Sequence, residues 1–554
     1  MFGLRARDLS VWIAYCVMLA VVVPWHEPWS DEAQAWLLAR DLSIPQLLFH
    51  YLRYESHPAL WYLILWVPSH LHLNYAVLGW ISAAIASAGI YVLLRLSPFP
   101  YYLRAILPFT FFLAYQFAVV ARSYVLFPPL CFLIAHVYRQ TRPRPVLMAV
   151  LLALLANVSV HGTLVACTLA PIYSWNLFHE RRSAALSRRT LTWAAILFLA
   201  SIVLVAVTIY PPADLHTIAS PTVSRAIGLL AIQHQTASSS PYSSPAPQVI
   251  QTFNTAGDAL PLPVLKDRVF ARWSALLRVL SYPVSTSHVL SCVLYLLTVF
   301  YLYSRKALVL LAPLAVLTLF LVFVYAREWH LGLLWIVLLM VLWAAWDAEA
   351  DLRRPSTQNA IAGLLVLVSL LQIPWTWNAV RYDIHAQYYP STQAAAYLHS
   401  LPPGLRIAGF GDANTILPYF SKNIFFNRAT TFNWNGPHTG KFADLPNPMS
   451  MHPDLVIVWA GDTASLDLAQ SSGYRETHRF CGRMFLPYME TKEVCYIFLE
   501  PSGRPASLLP RSVPGAGIRA SDGPRPAVRG WGGPRRVRGK RKRANSFDLE
   551  PGIA

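Results

Sequence analysis

Residues 5–36 read RARDLSVWIAYCVMLAVVVPWHEPWSDEAQAW, and this stretch decides what kind of molecule follows. Arg5 and Arg7 precede an apolar run from Val11 to Val23 with no small-residue cleavage site. The run therefore reads as a retained first helix and not as a removed signal peptide. Just beyond it stand two adjacent carboxylates, Asp31 and Glu32. Basic flank inside, apolar span, acid pair outside: the orientation of the whole chain can be built from this segment.

The rest of the chain repeats the apolar theme. Of its 554 residues, 55% are hydrophobic and 13% charged, about half the charged share of an ordinary soluble domain. The mean hydropathy is +0.41. Further apolar runs fall near 75–94, 103–120, 123–138, 146–160, 162–178, 190–209, 288–303, 307–325, 329–346 and 358–377. The chain is thus expected to be a polytopic α-helical membrane protein of about eleven transmembrane helices, some shorter than the ~20 residues of a perpendicular helix. The 19 Trp and 27 Tyr suit a molecule with rings at headgroup depth.

Basic residues then assign the sides. Arg95 with Arg104, Arg139 with Arg142 and Arg144, Arg181 to Arg189, Arg305 with Lys306, and Arg353 with Arg354 fall on alternate connections. By the positive-inside rule these and the N-terminus are cytoplasmic, as in a bacterial plasma membrane. The outward set is 24–74, the turns near 121, 161 and 328, the loop 210–287, and everything after 377. Within 210–287, Lys266 to Ser281 gathers Val269, Phe270, Trp273, Leu276, Leu277 and Leu280 on one side, as in a helix lying in the interface.

Three regions follow. Residues 1–377 are the membrane module, 378–500 a small extracytoplasmic α/β domain, and 501–554 a disordered basic tail. The small domain shows a helix around Thr392–Ser400 and strand-like runs at Arg406–Phe410, Leu455–Trp459 and Tyr496–Leu499. The tail holds twelve Lys and Arg against Asp522, Asp548 and Glu550, half of the net charge of +18. Its Gly539–Arg543 core suits an anionic lipid or polymer, or no specific partner at all; no nucleic-acid partner is expected. The six cysteines form no CxxC pair. Cys481 and Cys495 both lie in the exported region, which makes them candidates for a disulfide.

Four polar clusters stand on the outward side. Asp31 and Glu32 suit acid–base work at a water-poor surface, or equally a first helical turn capped by Ser30. Arg122 sits in an apolar stretch, where an unpartnered Arg costs about 2.5–3.5 kcal/mol; it suits a lipid phosphate, or a snorkelling position at a tight hairpin. Arg327-Glu328-Trp329-His330 adds a second cation and an imidazole, and His161 marks another outer turn. A random scatter of polar residues would not put all four on one face.

Taken together, the acid pair Asp31-Glu32 after a retained helix, His57-Pro58-Ala59-Leu60-Trp61-Tyr62 in the same loop, and Ala121-Arg122-Ser123-Tyr124 resemble the GT-C superfamily of membrane glycosyltransferases. The likeness is to the branch of protein O-mannosyltransferases and aminoarabinose transferases, and covers residues 8–377 in layout. It implies inverting transfer of one hexosyl or pentosyl unit from a polyprenyl-phosphate donor to a lipid, glycan or protein acceptor on the outer face. Asp31 is then the general base with Glu32 in support. Arg122, Tyr124, Arg327 and His330 bind the donor phosphate, and His57 and His161 the substrate. Metal use stays open, because Asp31-Glu32 is not an Asp-x-Asp pair. The small domain matches no added module of that superfamily, and its Gly409-Phe410-Gly411-Asp412 is not a dinucleotide fingerprint. A transporter or lipid flippase, and a non-catalytic envelope-assembly scaffold, are the competing classes.

Overall fold

In the computed structural model, the described residues are 4–55, 57–179, 186–210, 262–324, 327–349, 356–431, 448–485, 487 and 492–502. The basic tail beyond Ser502, most of the 210–287 loop, and the arginines Arg181, Arg182, Arg353 and Arg354 lie outside them.

Among the described residues, helices dominate in chain order: α1 (Ala6–Val22), α2 (Ser30–Asp41), α3 (Leu60–His70), α4 (Val77–Leu96), α5 (Phe127–Tyr138), α6 (Pro145–Ala156), α7 (Val160–His179), α8 (Arg188–Ile209), α9 (Leu262–Ser281), α10 (His288–Ser304), α11 (Ala312–Phe323), α12 (Glu328–Ala345) and α13 (Thr357–Ala386). Four stretches are long and apolar enough to cross a membrane: Ala6–Trp25, Val77–Leu96, Arg188–Ile209 and the one beginning at Thr357. Shorter apolar helices accompany them. The chain is a polytopic helical membrane protein.

Its centre is α12. Leu333 through Leu339 are all fully buried, and the helix is apolar all round because it meets neighbours all round. The opposite case is α8, where only 11% of the spanning window is buried and Trp193, Leu199 and Val203 are exposed, so most of its surface is left to lipid.

One expected span differs. Residues 103–120 do not form a single helix but a short helix Tyr101–Ile106, a 3-10 turn Leu107–Phe109, and a π-turn Phe112–Gln116. Pro108 explains the first break, since its ring removes a backbone donor and crowds the preceding turn. The chain then stays irregular to Arg122, which is extended (φ −117°, ψ 167°). Irregular backbone at this depth is tolerated where protein buries it, and Phe117 to Ala121 are all buried.

The α/β part comprises α14 (Ser391–Ser400), β1 (Ile407–Phe410), a 3-10 segment Gly411–Tyr419, β2 (Leu455–Trp459), α15 (Thr463–Ser471), β3 (Tyr474–Met484) and β4 (Lys492–Pro501). The sheet order is β1-β2-β4-β3, with β1 and β2 parallel and the other pairs antiparallel. All five residues of β2 are buried, as a strand flanked on both edges requires. Cys481 and Cys495 face one another in the β3–β4 register and are joined by a disulfide.

Close packing at the α6–α7 turn is set by Gly162, where a Cβ would lie 2.1 Å from the Leu155 carbonyl oxygen. At Gly363 a Cβ would meet nothing within 4 Å. Gly162→Ala is therefore expected to destabilise by roughly 1–3 kcal/mol, and Gly363→Ala to be neutral, as read from thermal unfolding in nanodiscs. Equal melting of the two variants would contradict this packing.

Candidate functional site

The site is organised by the first turn of α2. Successive residues on a helix point about 100° apart, so Asp31 and Glu32 cannot share an environment. The structure sends them opposite ways.

Glu32 turns inward and is fully buried. Its Oε2 accepts the Trp29 backbone N–H at 3.1 Å and faces His26 Nε2 at 3.3 Å, while Oε1 accepts the Ala121 N–H at 2.6 Å. The cap of α2 is thus made by Glu32 reaching back to Trp29, and Ser30 is the first helical residue instead of the cap expected from sequence. The other nitrogen of His26, Nδ1, lies 3.0 Å from Asp383 Oδ2, which also accepts the Tyr115 hydroxyl at 2.9 Å. Burial by itself would lower the His26 pKa, but Asp383 and Glu32 outweigh it and hold it at about 10. The imidazolium is the cation that lets two carboxylates be buried side by side.

Asp31 turns to Arg122, whose Nη1 lies 2.5 Å from Oδ2. Both side chains are about nine-tenths buried. Burial pushes the Asp31 carboxyl up; Arg122 and Arg327 pull it back, and Glu32 adds to the rise, leaving it above its ordinary value. The Arg122 guanidinium carbon lies 5.3, 5.6 and 5.7 Å from the rings of Tyr124, Trp329 and Trp29, within cation–π range of all three. Arg327, extended just before α12, biases the same carboxylate.

The imidazoles complete the wall. His161 and His330 lie 4.5 Å apart between centroids with their rings tilted by 42°, and Tyr124 lies 5.5 Å from His330 and 6.1 Å from His161. His330 Nε2 accepts the Trp329 indole N–H at 3.0 Å. Burial and the Arg122 charge hold the His57 pKa down at about 3, so its ring is neutral. His57 Nδ1, both nitrogens of the buried His161, and Gln34 Oε1 are buried without a hydrogen-bond partner among the described residues. Gln34 stands one turn along α2 from Asp31 and donates to Glu55 at 2.8 Å. Burial, with Asp31 nearby, raises Glu55 to about 8.

Seven of the eight residues singled out in the sequence therefore lie near one another, while Glu32 turns the other way. Sequence reasoning missed His26, Asp383, Gln34 and Glu55. Asp383 alone left a signal, as an acid at the end of an apolar helix. The described side chains close enough to hold a metal are Cys481, Glu493 and Cys495, and the two sulfurs there are already bonded to each other.

No protein-family profile and no curated protein matches the sequence. One solved structure is similar. It is the crystal structure of ArnT from Cupriavidus metallidurans in the apo state, at 11% identity and a TM-score of 0.48, with 88% of this chain and 98% of that chain covered.

Two outcomes test the buried network. Asp383→Asn removes one partner of a buried ionic cluster and should destabilise by about 3–5 kcal/mol; a loss below a tenth of that would show that the contact carries no energy. The proton held by His26 stabilises the fold fully below about 6.5, and progressively less until pH passes about 10. The gap in melting temperature between wild type and His26→Gln should accordingly shrink from pH 7 to about pH 10; a constant gap would refute the charged imidazole.

Proposed function

We propose that this chain is a membrane glycosyltransferase that moves one sugar from a polyprenyl-phosphate donor to an acceptor on the non-cytoplasmic face, with inversion at the anomeric carbon. The observation that carries the reading is the Asp31–Arg122 pair, held nearly out of water among three aromatic rings, with buried polar atoms of Gln34, His57 and His161 close by that have no hydrogen-bond partner among the described residues. Each such atom costs about 1–3 kcal/mol when left unpaired, so a polar ligand is what this wall is built to receive.

The chemistry needs a base on one side of the anomeric carbon and positive charge on the other. Arg122 takes the donor phosphate, since its planar fork matches phosphate oxygens. Arg327 adds charge nearby, and Tyr124, His57, His161 and His330 supply neutral hydrogen-bonding groups along the same wall. Phosphate at Arg122 draws the guanidinium away from Asp31, whose carboxylate then loses its counter-ion and becomes the stronger base. Asp31 takes the proton of the acceptor hydroxyl as its oxygen bonds to the anomeric carbon and the phosphate leaves with its electron pair. The aromatic shell keeps water from competing as acceptor. Glu32 does not touch substrate; it holds α2 and Ala121, and through them Asp31 and Arg122.

The test offers a panel of polyprenyl-phosphate sugars to wild type, Asp31→Asn and Arg122→Lys in nanodiscs. Wild type should consume one donor. Asp31→Asn should bind it and turn over at least ~10³-fold more slowly, and Arg122→Lys should mainly weaken donor binding. Donor consumption that survives Asp31→Asn would remove Asp31 from the base role. No binding of any donor by wild type would return the chain to transport or scaffolding.

A further inference from the structure

The irregular segment that ends in Arg122 is held at both ends by one buried ring of contacts. At its start, the Tyr115 carbonyl accepts the N–H groups of Ala118, Val119 and Val120 at 3.2, 2.9 and 3.2 Å, while the Tyr115 hydroxyl donates to Asp383 at 2.9 Å. At its end, the Ala121 N–H donates to Glu32 at 2.6 Å. His26 closes the ring. One of its nitrogens meets Asp383 at 3.0 Å and the other Glu32 at 3.3 Å, and its imidazole stands edge-on to the Tyr115 ring at 6.1 Å. Tyr388, just beyond α13, packs on the same imidazole at 4.9 Å between centroids. A segment outside helix and sheet has few bonds of its own to fix it, so these outside anchors decide where Arg122 stands.

Two bridges therefore run side by side from the first turn of α2 to this segment. Asp31 meets the Arg122 guanidinium, and Glu32 meets the Ala121 N–H, so neighbours in sequence are joined to neighbours in sequence. We propose that His26 is a positioning residue for the transfer step: it holds Glu32 on the Ala121 N–H, and so keeps the Asp31 and Arg122 backbones in register when the donor phosphate parts their side chains. The proposal rests on the transferase reading. His26 itself touches neither substrate nor the reacting atoms.

The need for a second bridge follows from the first. Once phosphate takes Arg122, the Asp31–Arg122 contact no longer ties α2 to the segment, and a reacting group displaced by about 1 Å costs roughly a hundredfold in rate. The Glu32 bridge ends on a backbone N–H and is fully buried, so the donor does not compete for it. A cation is needed behind it, because Glu32 and Asp383 are both buried and both face the same imidazole. A neutral side chain in that place would leave two carboxylates uncompensated, and Glu32 would be drawn off the Ala121 N–H toward whatever charge or water it could reach.

A double-mutant cycle separates positioning from plain support of the fold. Turnover of the polyprenyl-phosphate sugar that wild type consumes is measured per folded molecule in nanodiscs for wild type, His26→Gln, Asp31→Asn and the double variant. His26→Gln should lower kcat by about a hundredfold in the wild-type background. With Asp31 already replaced by Asn it should cost less than about threefold, because a base that is absent cannot be misplaced. The same factor in both backgrounds would show support of the fold alone and overturn the proposal. Should His26→Gln not fold, Tyr115→Phe removes one hydroxyl from the ring and takes its place, with a loss of about tenfold and the same comparison. The second experiment needs no donor. Hydrogen exchange at the Ala121 amide, read by mass spectrometry on the full-length protein, should quicken by about tenfold or more in His26→Gln. Unchanged exchange would overturn the link from His26 to Ala121. A wild type that consumes no donor overturns the transferase reading instead, and the exchange result still decides whether His26 holds the Glu32 bridge.

Discussion

A carboxylate carried out of water must be met by positive charge or it gives up its own, and α2 carries two such carboxylates on consecutive residues. Each is answered by a different cation from a distant part of the chain: Arg122 for Asp31, and the imidazolium of His26, shared with Asp383, for Glu32. These two pairings tie together the end of α1, the start of α2, the broken segment before α5, and the end of α13. Geometry elsewhere at the membrane edge follows from satisfying them. The irregular backbone from Phe117 to Arg122, for example, leaves the Ala121 N–H without a helical partner, and Glu32 supplies one.

The same ties join the α/β domain to the membrane helices. Glu27, one residue after His26, accepts from Gln387 at 2.7 Å and from the Thr392 backbone, so the segment between α1 and α2 is fastened to the chain just after α13. Arg483 on β3 donates its N–H to the Gln387 carbonyl at 2.8 Å. Gly482 beside it runs so close to Tyr389 that a Cβ would lie 2.9 Å from that residue's Cα. An α/β domain of this size buries too little apolar surface to be very stable alone. Resting on α2 and α13 supplies what its own core lacks.

What was legible in the sequence follows from which signals are local. Apolar spans are local, and the runs at 75–94, 123–138 and 329–346 reappear within a few residues as α4, the Ser123–Tyr138 stretch and α12. The 103–120 run misled because hydropathy does not register a proline's effect on the backbone, and Pro108 decided that segment. Strand β3 was missed for a different reason: Tyr474–Met484 is largely polar and half-exposed, with no buried-strand pattern to detect. Asp31, Arg122, His161 and His330 were legible because a polar residue among apolar ones is a local anomaly. The pairing of His26 with Asp383 was not, since 357 residues separate them and only the packed fold brings them to 3.0 Å.

The glycines before Asp412 show how a motif can be quoted and still be misjudged. In sequence, Gly409-Phe410-Gly411-Asp412 invited comparison with a phosphate-binding glycine loop and failed it. The glycines have another task. Gly409 stands against the Phe425 ring, where a Cβ would come within 2.8 Å, and Gly411 supplies the left-handed turn that ends β1. Both shape the turn from which the next segment, Gly411–Tyr419, packs on α2. The adjacent acids of α2 therefore divide their work by helical geometry. Glu32, locked away with His26, fixes where the helix begins; Asp31, 100° around, pairs with Arg122. A pair that pointed the same way would have repelled itself into a shared proton, and neither carboxylate would have kept a cation of its own.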